Sequence, residues 1–477
     1  MNICFLKITL FITFESTSGG ANMKWMNELF KIFPQNQLFS TESELEKHSK
    51  DESSHVAVQP DIVFYPTTTE DIKACIDLAR AHSIPITPYG AGSGLDGQAI
   101  PVKKGISMNF DRMNSIVAFN PEDLTITIQP GIRRIEFNKF LNKHGLFFPI
   151  DPGADASIGG MVATNASGTT AVKYGSMREQ VLDLEVVLAD GRIIHTGSRA
   201  KKSSSGYHLS GLFVGSEGTL GIISEITLKL YGIPEFIAAV KATFPSITEA
   251  AQTTHTILSY GLVPTRMELI DGESIRQINS YGDYTFPERP TLFIEFSGST
   301  FEGVSKEIEI IKSISEEFGV IDWEFSDLAA ERNQIWKARH EISYAYRHQS
   351  RISVLSTDVC VPISKLPKLI EYARSWLSES GLNGGVFGHV GDGNFHTLIV
   401  YNQDKVDECK TANLLYERIV RKALEWGGTC TGEHGVGLGK MKYQKLEHGE
   451  AFTSMQQIKL LFDPNNLLNP GKILVES

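Results

Sequence analysis

Three glycine-rich segments between positions 88 and 223 constrain this chain more than any other feature. The first reads Pro88-Tyr89-Gly90-Ala91-Gly92-Ser93-Gly94-Leu95-Asp96-Gly97. The second is Asp151-Pro152-Gly153-Ala154-Asp155-Ala156-Ser157-Ile158-Gly159-Gly160, continuing through Met161-Val162-Ala163-Thr164-Asn165-Ala166-Ser167-Gly168. The third is Phe213-Val214-Gly215-Ser216-Glu217-Gly218-Thr219-Leu220-Gly221-Ile222-Ile223. Glycine at this density lets backbone N–H groups approach a phosphate with no Cβ in the way. One such segment reads as a tight turn; three describe a surface for a large flat ligand. Gly92, Gly94 and Gly97 also spell G-x-G-x-x-G, but the dinucleotide-binding version must open a helix. Here Gln98-Ala99-Ile100-Pro101 follows without helical period, and no acidic residue stands at the ribose position. An NAD-type site is excluded.

Around these segments strand and helix patterns alternate. Positions 67–82 read as a helix, with Thr67 and Glu70 at capping-box spacing and Ile72, Cys75, Ile76 and Ala79 as its apolar stripe. Positions 83–87 and 124–129 read as strands, 132–144 as a helix, and 219–230 as strand-rich. Positions 182–194 read as a hairpin turning at Asp190-Gly191. Beyond Pro234 longer helices (247–260, 301–318, 327–348, 363–379) separate strands (291–297, 352–361, 397–401). A chain of 477 residues has room for two or three domains, and 41% hydrophobic residues can fill their cores.

A net charge of −11 leaves no basic stripe for a nucleic-acid backbone, and Lys/Arg runs go no further than pairs such as Lys201-Lys202. The five cysteines (Cys4, Cys75, Cys360, Cys409, Cys430) are widely spaced and form no C-x-x-C. That argues against a disulfide framework, a zinc ribbon and an iron–sulfur cluster, and fits a reducing compartment, the cytoplasm. Positions 3–14 are mostly apolar, but Lys7 interrupts them, no basic stretch precedes them, and they are too short to span a bilayer. We read positions 1–22 as an extension ahead of a start at Met23 rather than as a signal peptide. No later segment reaches spanning length, so any membrane contact is expected to be peripheral.

A second signal lies far downstream. In Gly388-His389-Val390-Gly391-Asp392-Gly393-Asn394-Phe395-His396 two imidazoles flank a glycine-rich turn that can fold them toward one point. Thr429-Cys430-Thr431-Gly432-Glu433-His434-Gly435-Val436-Gly437 adds a carboxylate beside a third imidazole. His and Glu suit a borderline divalent ion such as Zn, Mn or Fe, and two His plus a carboxylate leave positions for substrate oxygens. Most of the thirteen histidines need no such role. These ones sit in glycine-rich backbone that a core does not require.

The three glycine-rich segments, in this order, resemble the FAD-binding domain of the vanillyl-alcohol-oxidase/PCMH flavoprotein superfamily. The His and Glu motifs resemble its FAD-linked D-2-hydroxy-acid dehydrogenase branch, which holds cytochrome-type D-lactate dehydrogenases, glycolate oxidase flavin subunits and D-2-hydroxyglutarate dehydrogenases. The similarity runs from Val56 to Leu474 and includes Asn469-Pro470-Gly471-Lys472. It implies an α+β chain: a helical lead-in over 1–55, a PCMH-type FAD-binding domain over 56–233, a substrate (cap) domain with the metal-binding loop over 234–426, and a C-terminal helical segment over 427–477 that returns to the flavin domain. It implies that Pro88, Tyr89, Gly90, Ala91, Gly92, Ser93, Gly94, Leu95, Pro152, Gly153, Ser157, Gly160, Asn165, Gly168, Tyr174, Gly175 and Ile223 touch FAD. Relatives that attach the flavin covalently carry a His in the first segment, where Ser93 stands, so non-covalent FAD is expected. The resemblance further implies His389, His396 and Glu433 as metal ligands and His434 as general base. Arg339 is implied as the clamp on the substrate carboxylate, a task that a guanidinium fork performs bidentately.

The implied reaction oxidises a small D-2-hydroxy acid, D-lactate first and glycolate second, to the 2-keto acid. His434 takes the hydroxyl proton and a hydride passes from C2 to flavin N5. Ser356-Thr357-Asp358-Val359-Cys360-Val361-Pro362 is most similar to the D-lactate branch. The D-2-hydroxyglutarate enzymes have a Lys where Ser356 stands, and its absence argues against a second substrate carboxylate. D-lactate and glycolate differ by one methyl, a difference of about 1–3 kcal/mol in an apolar pocket, and the sequence does not separate them. With no cysteine cluster, electrons are expected to leave to an external quinone, cytochrome or electron-transfer flavoprotein. A homodimer, or partner subunits as in a glycolate oxidase assembly, is the expected association. Two other readings stay open on sequence: a metal-dependent hydrolase on the same cluster, and a ligand-binding protein without catalysis.

Overall fold

The computed structural model describes residues 22–347 and 352–475. The expectations for positions 1–21 lie outside the described residues, as does the last residue of the helix expected over 327–348. The first half of the chain forms two main sheets and a two-stranded pair, Leu146–Phe147 with Tyr231–Gly232. In one, strands Leu38–Phe39, Ile62–Phe64, Ile106–Asn109 and Ile86–Tyr89 stand in that spatial order. Ile62–Phe64 and Ile86–Tyr89 both run parallel to Ile106–Asn109. Such strands are covered on both faces, so nearly every residue in them is buried, the polar Thr87, Ser107 and Asn109 included. Helix Thr69–His82 covers this sheet through Ile72, Cys75, Ile76 and Ala79, the expected stripe. Its capping box is Thr68 with Asp71, one position later than the expected Thr67 and Glu70. Asp71 wins because its shorter carboxylate accepts from the backbone N–H groups of both Thr67 and Thr68.

The second sheet is antiparallel, in the order Ile116–Asn120, Thr125–Ile128, Ile222–Lys229, Val181–Val187, Ile193–His195. The expected hairpin turn at Asp190-Gly191 is present, with Gly191 at φ 85. The central strand Ile222–Lys229 begins at the end of the third glycine-rich segment, so it fixes where that segment ends.

The third sheet has eight strands among the described residues and is antiparallel throughout. Asp322–Ser326, Phe236–Thr243, Thr291–Gly298, Arg266–Ile270, Asn383–Gly388, Asn394–Asn402 and Ile352–Ser356 follow in that order, and Val359–Cys360 also pairs with Asn394–Asn402. Side chains alternate between two cores, as a pleated strand requires. Val240, Ala242, Leu292 and Ile294 pack with helices Ile247–Ser259, Phe301–Glu317, Leu366–Ser380 and Val406–Glu425. Ala239, Phe293 and Ile270 pack instead with helices Gly272–Tyr281 and Ala329–Arg347.

Several of these elements were not expected from sequence. One is strand Asn383–Gly388, in which Gly384 takes φ 155 and a Cβ would run into the Leu398 carbonyl. Helix Val406–Glu425 buries Ala412, Leu415, Ile419, Val420 and Ala423 at helical spacing. The chain end is built into the first sheet. Leu468 bridges Ile86, with Asn469 N donating to Ile86 O at 2.7 Å and Ile86 N to Leu467 O at 2.8 Å. No helix among the described residues is long and apolar enough to cross a membrane.

Candidate active site

A cavity of about 310 Å³ runs from the glycine-rich segments to the His and Glu motifs. Pro88, Tyr89, Gly90, Ala91, Gly92, Ser93, Gly94, Leu95, Pro152, Gly153, Ser157, Gly160, Gly168 and Ile223 all line it. Asn165, Tyr174 and Gly175 do not. Asn165 caps helix Ile158–Thr164 at φ 52, and its Oδ1 accepts from Ser176 Oγ and Arg178 N instead. The Tyr174 ring packs edge-on against Phe147 and Tyr231. Gly175, at φ 79, ends helix Ala171–Tyr174 beside Glu179. Their small or polar character serves turns, not the cavity.

Several lining glycines leave room for a neighbouring polar side chain: a Cβ at Gly90 or Gly160 would meet Ser157 Oγ, one at Gly92 the Tyr89 hydroxyl, and one at Gly94 Gln98 Oε1. A Cβ added at Gly153 would meet nothing within 4 Å, so the wall there faces open space. At Gly168 the opposite holds: φ is 152 and a Cβ would sit 2.6 Å from the Asp151 backbone. A cavity with exposed amides and few projecting side chains fits a long flat cofactor with phosphates.

At the far end the expected turn does bring its two imidazoles together. Strands Asn383–Gly388 and Asn394–Asn402 pair with Phe387 opposite His396, and residues 390–392 close the hairpin. Gly388 makes this possible: at φ 158, a Cβ would lie 2.5 Å from Phe395 Cα. The His389 and His396 ring centroids are 5.5 Å apart. His396 Nδ1 donates to Thr357 O at 3.1 Å, which turns Nε2 toward Glu433. His389 Nδ1 donates to Glu268 Oε1 at 2.6 Å with the same result.

Glu433 Oε1 is the point of convergence. It lies 3.1 Å from His389 Nε2, 3.3 Å from His396 Nε2 and 3.7 Å from His434 Nε2. The His434 ring stacks on His396, centroids 5.1 Å apart and planes nearly parallel. Burial works against charging His389, but the Glu268 and Glu433 carboxylates outweigh it and hold that imidazole well above its ordinary value. The same pairing outweighs burial at Glu433 and holds its carboxyl well below the usual range. Burial dominates at His434 and keeps it below its ordinary value, against the pull of Asp358 and with help from Lys440 and His396.

Asp358, which sequence reasoning did not single out, anchors the Glu433-His434 loop. Its Oδ2 accepts from Glu433 N at 3.0 Å, His434 N at 2.8 Å, Thr431 Oγ1 at 2.7 Å and Lys440 Nζ at 3.3 Å. Asn394 Nδ2 takes Oδ1. Asp358, His396, Glu433 and His434 offer ligand atoms within 4.8 Å of one another. Asp358 is nonetheless committed to those donors, so the donor set facing the cavity is His389, His396 and Glu433, with His434 beside it. Nitrogen and carboxylate ligands in this arrangement fit a borderline divalent ion.

Arg339 lines the same end, 8% exposed, from helix Ala329–Arg347. Its Nε donates to Glu268 Oε2 at 2.6 Å and its guanidinium lies over Phe387. Glu268 and Lys440 were also missed. The available signal was a charge inside an apolar strand, Met267-Glu268-Leu269-Ile270, which burial makes costly without partners.

Comparisons with known proteins agree with this architecture. Residues 233–473 match the family described as "FAD linked oxidases, C-terminal domain", and residues 60–197 match "FAD binding domain". The chain belongs to the FAD-linked oxidase family. This flavoprotein is 43% identical to "Probable D-lactate dehydrogenase, mitochondrial" of Danio rerio over 434 residues, covering 90% of this chain and 87% of that one. It is 34% identical to "Glycolate oxidase subunit GlcD" of Bacillus subtilis, covering 90% and 92%. The crystal structure of p-cresol methylhydroxylase superposes with a TM-score of 0.78 at 18% identity, over 96% of this chain and 98% of that one. The fold is therefore the α+β PCMH-type flavoprotein fold, and the chain is an FAD-dependent oxidoreductase.

Proposed function

We propose that this flavoenzyme oxidises a small D-2-hydroxy acid, D-lactate above all, to the 2-keto acid, and passes the electrons to an external acceptor. The observation that carries the reading is that one cavity joins three things. They are a glycine-rich cradle, an imidazole–carboxylate cluster converging on Glu433 Oε1, and a buried arginine. When bound, FAD would accept a hydride, and a divalent ion on His389, His396 and Glu433 would acidify the substrate hydroxyl.

The chain's own residues account for the rest. Arg339 has two terminal nitrogens left for a substrate carboxylate, since only Nε is committed to Glu268. His434, kept neutral by burial, can take the hydroxyl proton at Nε2, the nitrogen that faces Glu433. Backbone hydrogen bonds from Glu433 and His434 to Asp358 hold that nitrogen in place. Ser93 in the first segment supports dissociable FAD. Ser356 at the cavity wall offers no cation for a second substrate carboxylate. The names of the Danio rerio and Bacillus subtilis relatives favour D-lactate first and glycolate second. Free cysteines at 75, 360, 409 and 430 support a reducing compartment.

Anaerobic flavin bleaching tests this. D-lactate, L-lactate, glycolate and D-2-hydroxyglutarate are added separately to the purified yellow protein. Fast bleaching by D-lactate and little by the L-isomer is expected. Fastest bleaching by glycolate moves the substrate to that acid, and none with any of the four, even with added Mn²⁺, sinks the substrate class.

A further inference from the structure

Glu268 has a fully buried side chain, yet its two oxygens serve two different elements. Oε1 accepts from His389 Nδ1, in the turn after strand Asn383–Gly388, and Oε2 accepts from Arg339 Nε, on helix Ala329–Arg347, both at 2.6 Å. Resting on the function proposed above, we infer that Glu268 is a positioning residue that couples the metal-binding imidazole to the substrate-carboxylate clamp.

The sheet explains how one side chain reaches both. Strand Arg266–Ile270 pairs with Asn383–Gly388 at Leu269 with Gly388 and Ile270 with Phe387, which puts Glu268 beside the start of the His389 turn. With Nδ1–H committed to Glu268, His389 presents Nε2 toward Glu433 and the cavity. With Nε committed, Arg339 keeps its terminal nitrogens for a bidentate partner. The Phe387 ring lies 4.7 Å from the guanidinium carbon and limits its rotation. The Phe387 ring also packs against His396, with centroids 5.5 Å apart, so the clamp touches the second imidazole of the cluster as well. Any shift of the Glu268 carboxylate therefore moves the imidazole and the guanidinium together.

Glu268→Gln keeps the volume but has one acceptor oxygen. It can serve His389 or Arg339, and its amide N–H₂ then opposes the other donor. Two readings follow on FAD-loaded protein: Mn²⁺ binding by equilibrium dialysis, and KM and kcat for D-lactate. The hydrogen-bond partners of metal-bound histidines are worth about 10–100-fold in affinity. We expect Mn²⁺ to bind about tenfold or more weaker and KM to rise about tenfold, with flavin content unchanged. A variant that alters only one of the two, or neither, overturns the coupling, because a merely structural role has no reason to move both while sparing the flavin. Should the Gln variant fail to fold, Arg339→Gln carries the test. Removing the guanidinium leaves the Glu268 charge to His389 alone, makes that ligand more basic, and tightens Mn²⁺ binding about threefold or more; unchanged binding overturns the coupling. Wild-type protein that neither binds Mn²⁺ nor is bleached by D-lactate overturns the functional reading and this inference together. Wild-type protein that does both, beside an unaffected Glu268→Gln variant, overturns this inference alone.

Discussion

At one end of the cavity, residues 88–95 and 152–160 present backbone, methyl groups and a few hydroxyls. At the other, three imidazoles stand within 3.7 Å of one carboxylate oxygen, backed by Glu268, Asp358 and Lys440 with almost no exposure. The first end works by what is missing, since every added atom takes space from a ligand or strains a turn. The second works by pairing, since every charge there is tolerable only beside its partner. The two ends should therefore fail in opposite ways: one to enlargement, the other to deletion.

The largest expected effect lies at the ionic end. His434→Ala removes the proposed base, and flavin reduction by D-lactate in a stopped-flow instrument should slow about 10²–10⁴-fold. Flavin content should not change, because the contact His434 makes beside residues 88–95, its carbonyl accepting from Gln98 Nε2, is a backbone contact that alanine keeps. A loss below tenfold would move the base elsewhere. Next comes Lys440→Met. Lys440 Nζ lies 3.0 Å from Asp96 Oδ2 and 3.3 Å from Asp358 Oδ2, and all three residues are buried. Stranding two buried carboxylates costs about 3–5 kcal/mol, to be read from chemical denaturation. At the glycine-rich end, Gly168→Ala forces a side chain into φ 152 and against the Asp151 backbone. Strain of about 1–3 kcal/mol should weaken FAD retention while leaving Mn²⁺ binding intact. Gly153→Ala meets no protein atom within 4 Å, so its methyl takes cavity space without straining the backbone and should weaken FAD retention less, again with Mn²⁺ binding intact. Loss of Mn²⁺ binding from either glycine variant would erase the contrast between enlargement and deletion.

The same contrast decides what could be read from sequence. Glycine segments announce themselves by composition, and His389 and His396 by standing seven positions apart across a glycine-rich turn, so the segments and the imidazole pair were legible. Within the cradle, Asn165, Tyr174 and Gly175 lie off the cavity lining, where they cap a helix, pack against aromatic rings and end a helix. Glu268 reaches partners 71 and 121 residues away, and Asp358 binds backbone 75 and 76 residues away. Such pairs exist only once the eight-stranded sheet has formed, so no local spacing encodes them. Among the elements, the stripe of helix Thr69–His82 was legible from its period. Strand Asn383–Gly388 was not, because its glycines fit a crowded sheet as well as a turn.

The smallest effect offers the finest test, since it sets one buried carboxylate at each end against the other. At Asp358 burial favours the neutral acid, but His434, Lys440 and His396 outweigh it and hold the carboxyl well below its ordinary value. Glu217 lines the cavity beside Gly218, and its carboxylate accepts from Val436 N at 2.6 Å and Gly437 N at 3.0 Å. Burial there outweighs those hydrogen bonds and pushes the carboxyl from 4.5 up to about 7. Between these values the folded chain holds a proton that the unfolded chain has released, so Glu217 makes stability fall as pH rises through that window and level off above it. Gln cannot titrate. Melting temperatures of Glu217→Gln and the parent protein should thus converge near pH 4.5 and separate in favour of Gln toward pH 7, by a few degrees. Parallel curves across that window would mean that Glu217 stays ionised beside the glycine-rich wall. Charge would then be as much a part of that end as of the other, and the division between a cradle of backbone and a cluster of pairs would have to be redrawn.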